Sequence, residues 1–248
     1  MLFIVPKTRK NMRYEHNYSA NILLMIKITI LVVVGTFVLV AKSAYAQQFV
    51  VDDAAVTTER SFQIETWYGE FESEFIPAFS VTSWLEAGVA FAFDSQDDFS
   101  FAGYALEAKA VNADFEEAGQ AFGLAVSFGF SDASDFEEFV AYVPYSRMIL
   151  NNRAVLHLNA GLASADNGDE WETAFIYGAR GDFEIHDRFT VLAEAFAENY
   201  DFGFQAGGRF GIVPGLLEMD VMYGRGFQTG MDFPGFTIGL AFTPDSLW

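Results

Sequence analysis

From about residue 59 to its end the chain alternates between large apolar residues and small or polar ones. Residues 84–94 read WLEAGVAFAFD, with Leu85, Ala87, Val89, Phe91 and Phe93 on one side and Glu86, Gly88, Ala90 and Ala92 on the other. Residues 121–130 set Phe122, Leu124, Val126, Phe128 and Phe130 against Gly123, Ala125, Ser127 and Gly129. A period of two is the signature of a strand with two unlike faces. About twelve such segments follow one another, beginning near Ser61, Glu74, Leu85, Ser100, Gly119, Phe136, Arg153, Glu172, Arg188, Phe202, Leu216 and Gly235. The second and sixth contain Pro77 and Pro144, which offer no N–H to a ladder and fit the pattern least well.

The connections alternate as well. One set is short: TSW (82–84), LNNR (150–153), HDR (186–188) and VPG (213–215). The other is longer and acidic: DSQDDFS (94–100), SDASDFEE (131–138), SADNGDE (164–170), ENYD (198–201) and FQTGMDFP (227–234). Residues 112–120, NADFEEAGQ, stand at a short-turn position and break the rule.

A soluble sandwich would put charge on the faces turned to water. Here those faces are mostly Gly, Ala, Ser and Thr, which suits the interior of a barrel. Aromatic residues near segment ends (Trp67, Tyr68, Trp84, Tyr104, Trp171, Tyr177, Tyr223) match interfacial girdles. A sheet facing lipid must close, because an open edge would leave backbone groups unpaired in hydrocarbon. The pattern therefore predicts an all-β fold: a closed antiparallel transmembrane β-barrel of about twelve strands, with ten to fourteen allowed. In the last segment, PGFTIGLAFTPDSLW, Phe236, Ile238, Leu240 and Phe242 alternate with Thr237, Gly239, Ala241 and Thr243. That segment is expected to close the barrel against the first and to end near Phe242 or Thr243. PDSLW is then a short tail.

The run ITILVVVGTFVLV (28–40), a basic flank and Ala44-Tyr45-Ala46 together predict a secretory signal peptide over residues 1–46. The run is shorter than the ~20 residues of a spanning helix. A start at Met25 makes a compact signal by itself and would leave residues 1–24 untranslated; Met12 is the other alternative start. The barrel is assigned to residues 59–248, and residues 47–58, QQFVVDDAAVTT, read equally as a periplasmic tail or a small inward plug. Export predicts residence in the outer membrane, with both barrel termini in the periplasm.

The chain carries a formal charge of −20 and no Cys. Without residues 1–46 it keeps eight basic and 33 acidic residues, a net charge of −25. Such a surface repels nucleic acid, so the expected partners are outer-membrane lipid, the barrel-assembly machinery and a small-molecule solute. An exported chain without disulfides must draw its stability from packing or from the bilayer.

Three stretches resemble the twelve-stranded outer-membrane barrels grouped with the meta-pathway phenol-degradation proteins. FSVTSWLEAGVAF (79–91) is similar to their strand–turn–strand block, GYALEAKAV (103–111) to their alternating stretch with Lys, and LHLNAGL (156–162) to their His-x-Asn-x-Gly strand. The resemblance implies a channel-like barrel, with small apolar compounds among the solutes to consider.

Alternation places Glu65, Glu86, Glu107, Lys109, Arg180, Asp182, Glu184, Glu194, Arg209, Glu218 and Asp220 on inward faces, and His157 and Asn159 together on another. These groups form either a charged constriction that selects solutes or an ion-paired filling that fixes register. Twelve strands lie between the ~8 that side chains fill and the ~16 that leave an aqueous channel, so both readings stand. The excess of inward acids would favour cations in an open pore. The pair of His157 and Asn159 is similar to part of the site of a twelve-stranded outer-membrane phospholipase; a nucleophile would have to come from elsewhere, and Ser127 is the available hydroxyl. The acidic loop stretches DNGDE (166–170) and DFEE (135–138) have no EF-hand spacing and read as solvated surface. No catalytic residue, metal site or cofactor is assigned. The leading expectation is a passive channel or transporter. A non-conducting structural or surface-interaction barrel is the alternative, and a lipid-modifying enzyme comes third.

Overall fold

A computed structural model of the chain describes residues 49–96, 99–166, 168, 170–227 and 234–246. The expected signal peptide and Trp248 lie outside them. The strands are β1 (Ser61–Gly69), β2 (Glu72–Thr82), β3 (Leu85–Asp94), β4 (Ser100–Val111), β5 (Gln120–Ser131) and β6 (Phe136–Ile149). They continue with β7 (Ala154–Asp166), β8 (Trp171–His186), β9 (Phe189–Glu198), β10 (Asp201–Val213), β11 (Leu217–Gly226) and β12 (Gly235–Phe242). Each pairs antiparallel with its sequence neighbours, and β1 pairs with β12, from Ile64↔Phe242 to Gly69↔Thr237. The twelve strands form one closed barrel.

Closure gives every strand two partners, and the two prolines show how the missing N–H is absorbed. Pro77 stays in register with Ile64 of β1, while the β2–β3 ladder skips from Phe75↔Phe91 to Ala78↔Gly88. Pro144 stays opposite Asn159 of β7, while the β5–β6 ladder skips from Phe122↔Tyr145 to Ala125↔Tyr142. Each proline thus opens a short gap toward one neighbour only.

The short connections 83–84, 150–153, 187–188 and 214–216 share one end, the tight end. The longer loops lie at the other together with two two-residue turns, 70–71 and 199–200, so ENYD is a tight turn and not the longer loop expected. At the tight end residues 112–119 hold a single helical turn, α1 (Phe115–Ala118). Asp114 caps it by accepting the N–H groups of Glu116 and Glu117, and Gly119 ends it at φ 69°. The start of β1 and the end of β12 lie at this same end, where Ser61 Oγ donates to the carbonyls of Pro244 and Asp245 at 2.6 and 3.1 Å.

The outward face is a belt of exposed apolar side chains, among them Phe79, Leu106, Phe122, Leu124, Leu162 and Phe204. Trp84 and Trp171 stand exposed at opposite ends of it, as girdle residues do. Trp67 departs from the girdle expectation: it is buried on the inner face of β1, its Nε1–H donating to Glu74 Oε2 at 3.2 Å. The inner face is polar, and Glu86, His157, Arg180, Glu194, Gln205 and Asp220 are all buried on it.

Candidate functional site

Residues 49–57 lie against this inner face ahead of β1, bending at Val50, Val51 and Ala54. Val50 and Val51 donate their backbone N–H groups to the two oxygens of Glu194 on β9, at 2.9 and 3.1 Å. Gln205 on β10 donates its side-chain amide to the same carboxylate. Arg180 on β8 donates to the carbonyl of Val51 at 2.7 Å. Asn159 on β7, its amide oriented to satisfy both atoms, accepts the N–H of Asp52 at 2.8 Å and donates to its carbonyl at 3.0 Å. Ser146 Oγ accepts the N–H of Ala54 at 2.7 Å, and Glu86 accepts that of Thr57 at 2.7 Å.

The segment's side chains are held as well. Lys109 Nζ lies 3.2 Å from Asp52 Oδ1 and 3.6 Å from Asp53 Oδ1. Tyr142 donates its hydroxyl to Asp52 Oδ2 at 2.9 Å. The guanidinium groups of Arg180 and Arg209 sit over the ring of Phe49, at 4.6 and 5.4 Å from its centre, within cation–π range. Val51 is fully buried against Phe196. Burial by itself would raise the carboxyl of Asp53; Lys109, Arg180 and His157 outweigh it, with the Ala55 N–H, and hold it below the ordinary carboxylate range.

Of the inward residues expected from alternation, Glu86, Lys109, Asn159, Arg180 and Glu194 bond the segment directly. His157 and Asp182 do so at one remove: Ser146 Oγ is 2.7 Å from His157 Nδ1, and His157 Nε2 is 3.4 Å from Asp182 Oδ2. Arg209, Glu218 and Asp220 form a separate group. Arg209 grips Asp220 with Nε at 2.8 Å and Nη2 at 2.9 Å, and Glu218 lies 3.3 Å from Nε. Glu65 and Glu107 stand nearby on β1 and β4, partly buried, without a direct bond to the segment among the described contacts. Glu184 is exposed near the end of β8.

Ser146, Tyr142 and Gln205 are partners that alternation alone did not single out. Ser146 and Tyr142 lie on either side of Pro144, in the strand whose pattern was least regular. The hydroxyl facing His157 is Ser146, its direct register partner, rather than Ser127, which pairs with Glu107 and Val140. Ser, His and Asp thus stand in a row, but the serine is fully buried and accepts the Ala54 N–H. Its present work is to tie the segment to the wall.

A closed, lipid-belted barrel with a polar interior is the architecture of porin-like channels. The chain belongs to the family described as "Uncharacterised conserved protein UCP029691", whose model matches residues 33–241. No curated protein matches it in sequence. Among solved structures it is similar to a KdgM porin in complex with disordered oligogalacturonate, at TM-score 0.58 and 8% identity, over 74% of this chain and 99% of that one. It is likewise similar to the COG4313 outer membrane channel from Pseudomonas putida F1, at TM-score 0.52 and 9% identity, over 77% and 97% of the two chains. A NanC porin aligns at TM-score 0.51 and 11% identity, over 74% and 100%. At these identities the likeness is one of fold.

Proposed function

We propose that the protein is an outer-membrane channel for small polar solutes, with residues 49–57 as a plug that occupies its lumen. The carrying observation is the nature of the filling. A solid barrel fills its interior with its own wall side chains. Here a separate segment fills it, held by hydrogen bonds and ion pairs, contacts that water can replace when the segment withdraws. The charged lining speaks for polar solutes over the apolar compounds that the meta-pathway resemblance would suggest. The apolar belt, the polar lumen and the likeness to porin folds all support residence in the outer membrane, with the tight end and both barrel termini toward the periplasm.

A second reading has its own support. The plug is bonded to side chains of β3, β4, β6, β7, β8 and β9, enough to make the barrel a permanently closed structural body. Planar-bilayer recordings of the full chain separate the two. Discrete conductance steps that enlarge when Asp52 and Asp53 are changed to Asn support a plugged channel. A silent bilayer for both proteins, with folding verified by circular dichroism, establishes the closed body.

A further inference from the structure

The wall contacts of the plug define a chemical class of ligand. Most are made to backbone: wall acceptors meet the N–H groups of Val50, Val51, Asp52, Ala54 and Thr57, and wall donors meet the carbonyls of Val51 and Asp52. Glu194 takes two successive N–H groups, Arg180 supplies a donor to the next carbonyl, and Asn159 pairs with both the N–H and the C=O of one residue. A side-chain amide bonded to both polar groups of one residue reads backbone and is indifferent to the side chain there. Beside this backbone track, Lys109 and Tyr142 meet one carboxylate, and Lys109 and Arg180 approach a second on the adjacent residue.

A structural filler needs volume and satisfied polar groups. This lining has in addition a fixed polarity along the chain and a paired-acid subsite. Withdrawing the plug takes from Lys109 both of its ion-pair partners among the described contacts, Asp52 and Asp53. Glu86, the register partner of Lys109 on β3, stays beside it, but the two carboxylates within ion-pair distance are gone, and a ligand that returns them restores those bonds. An isolated dianion would satisfy Lys109 but leave the backbone track unmatched.

Resting on the channel reading above, we propose that the lumen is a binding site for short peptides carrying adjacent acidic residues, and that the plug is its resident competitor. A tethered segment competes at an effective concentration of about 1 mM or more, so a free peptide must meet a weakened plug to be seen.

The test uses the full chain with Asp52→Asn and Asp53→Asn to weaken the plug, and Val51→Cys as reporter. The chain has no other Cys, and Val51 is fully buried when docked, so maleimide labelling measures withdrawal. The probes are Ala-Asp-Asp-Ala with blocked ends, the matching Ala-Asn-Asn-Ala peptide, and succinate, each at about 10 mM, chosen to exceed the effective concentration of the tether. The acidic peptide is expected to speed labelling by up to roughly tenfold, in proportion to that excess. The other two probes should leave the rate near its starting value, and Asn159→Leu should remove the gain.

Equal acceleration by succinate makes the site one for simple dianions and overturns the proposal; equal acceleration by the Asn peptide removes the acidic preference and does the same. Silence toward all three, in labelling and in isothermal titration calorimetry of the same protein, also overturns it. None of these readouts needs conductance, so a silent bilayer would fell the channel reading while leaving the peptide site to be judged by itself.

Discussion

Gly178 on β8 lies directly beneath Val51 of the plug: a Cβ built on it would stand 2.5 Å from Val51 Cγ2 and 3.1 Å from the carbonyl of Ala195. The absence of a side chain at Gly178 is what lets the plug reach the wall. Gly178→Ala should therefore displace residues 50–52 while the barrel still closes. Glu194 would then lose the Val50 and Val51 N–H groups together. The expected result is a larger single-channel conductance with an unchanged strand content by circular dichroism. A conductance equal to wild type would mean that the clash is relieved without moving the plug.

Arg209 and Asp220 are direct cross-strand partners in the β10–β11 register. Asp220 is almost wholly buried, whereas Arg209 is about a quarter exposed. Arg209→Met leaves a buried carboxylate short of its main counter-charge and should cost about 2–3 kcal/mol, below the full figure for a buried pair because water reaches the arginine. Adding Asp220→Leu should recover part of that loss, as replacing both partners by apolar groups removes the stranded charge. Urea unfolding followed by tryptophan fluorescence measures both. A double variant no more stable than the single one would show that the cost lies in lost packing.

Acid should loosen the plug through Asp53. Its carboxyl is held below the ordinary value of 3.8 in the docked state, so docking favours the charged form. The stabilisation is therefore fully present above that value and is lost as pH falls beneath it toward the docked one. The groups facing Asp53 are Lys109, Arg180 and His157, with the carboxyls of Glu65 and Glu86 also in electrostatic reach. The difference in Val51→Cys labelling rate between the otherwise wild-type chain and Asp53→Asn should stay constant above about pH 5 and shrink below about pH 4. A difference that instead changed between pH 6 and 8 would assign the control to another group.

The last strand ends at Phe242, and its outward residues Ile238 and Leu240 join the apolar belt. Removing residues 244–248 should leave a closed barrel, since the β1–β12 register lies wholly within the retained residues. The loss of two acceptors for Ser61 Oγ should lower stability by about 1 kcal/mol at most. Heat-modifiable mobility on gels reads closure directly. Failure of this variant to assemble would make the terminal residues part of the assembly signal.

The barrel was almost wholly legible because a period of two survives every local irregularity: each expected strand start falls within two residues of the observed one. Trp67 shows where the reasoning stopped. Aromatics near strand ends suit a girdle, but parity decides, and Trp67 shares the inward parity of Ser61, Gln63 and Glu65. The lumen residues were legible as a set and their pairings were not. Inward direction is a property of one strand, whereas the bond between Glu194 and Val50 joins positions 144 residues apart. Residues 47–58 carried no periodic signal, since their structure comes from the wall they lie on.

Because the plug's partners are spread over β3 to β9, its binding track exists only once those strands stand side by side around a common interior. The stretch synthesised ahead of the whole barrel is thus the last to find its place. Its docking turns a slow assembly of many distant pairings into a recognisable endpoint. A protease can then tell a finished molecule from an unfinished one by whether those few residues still protrude.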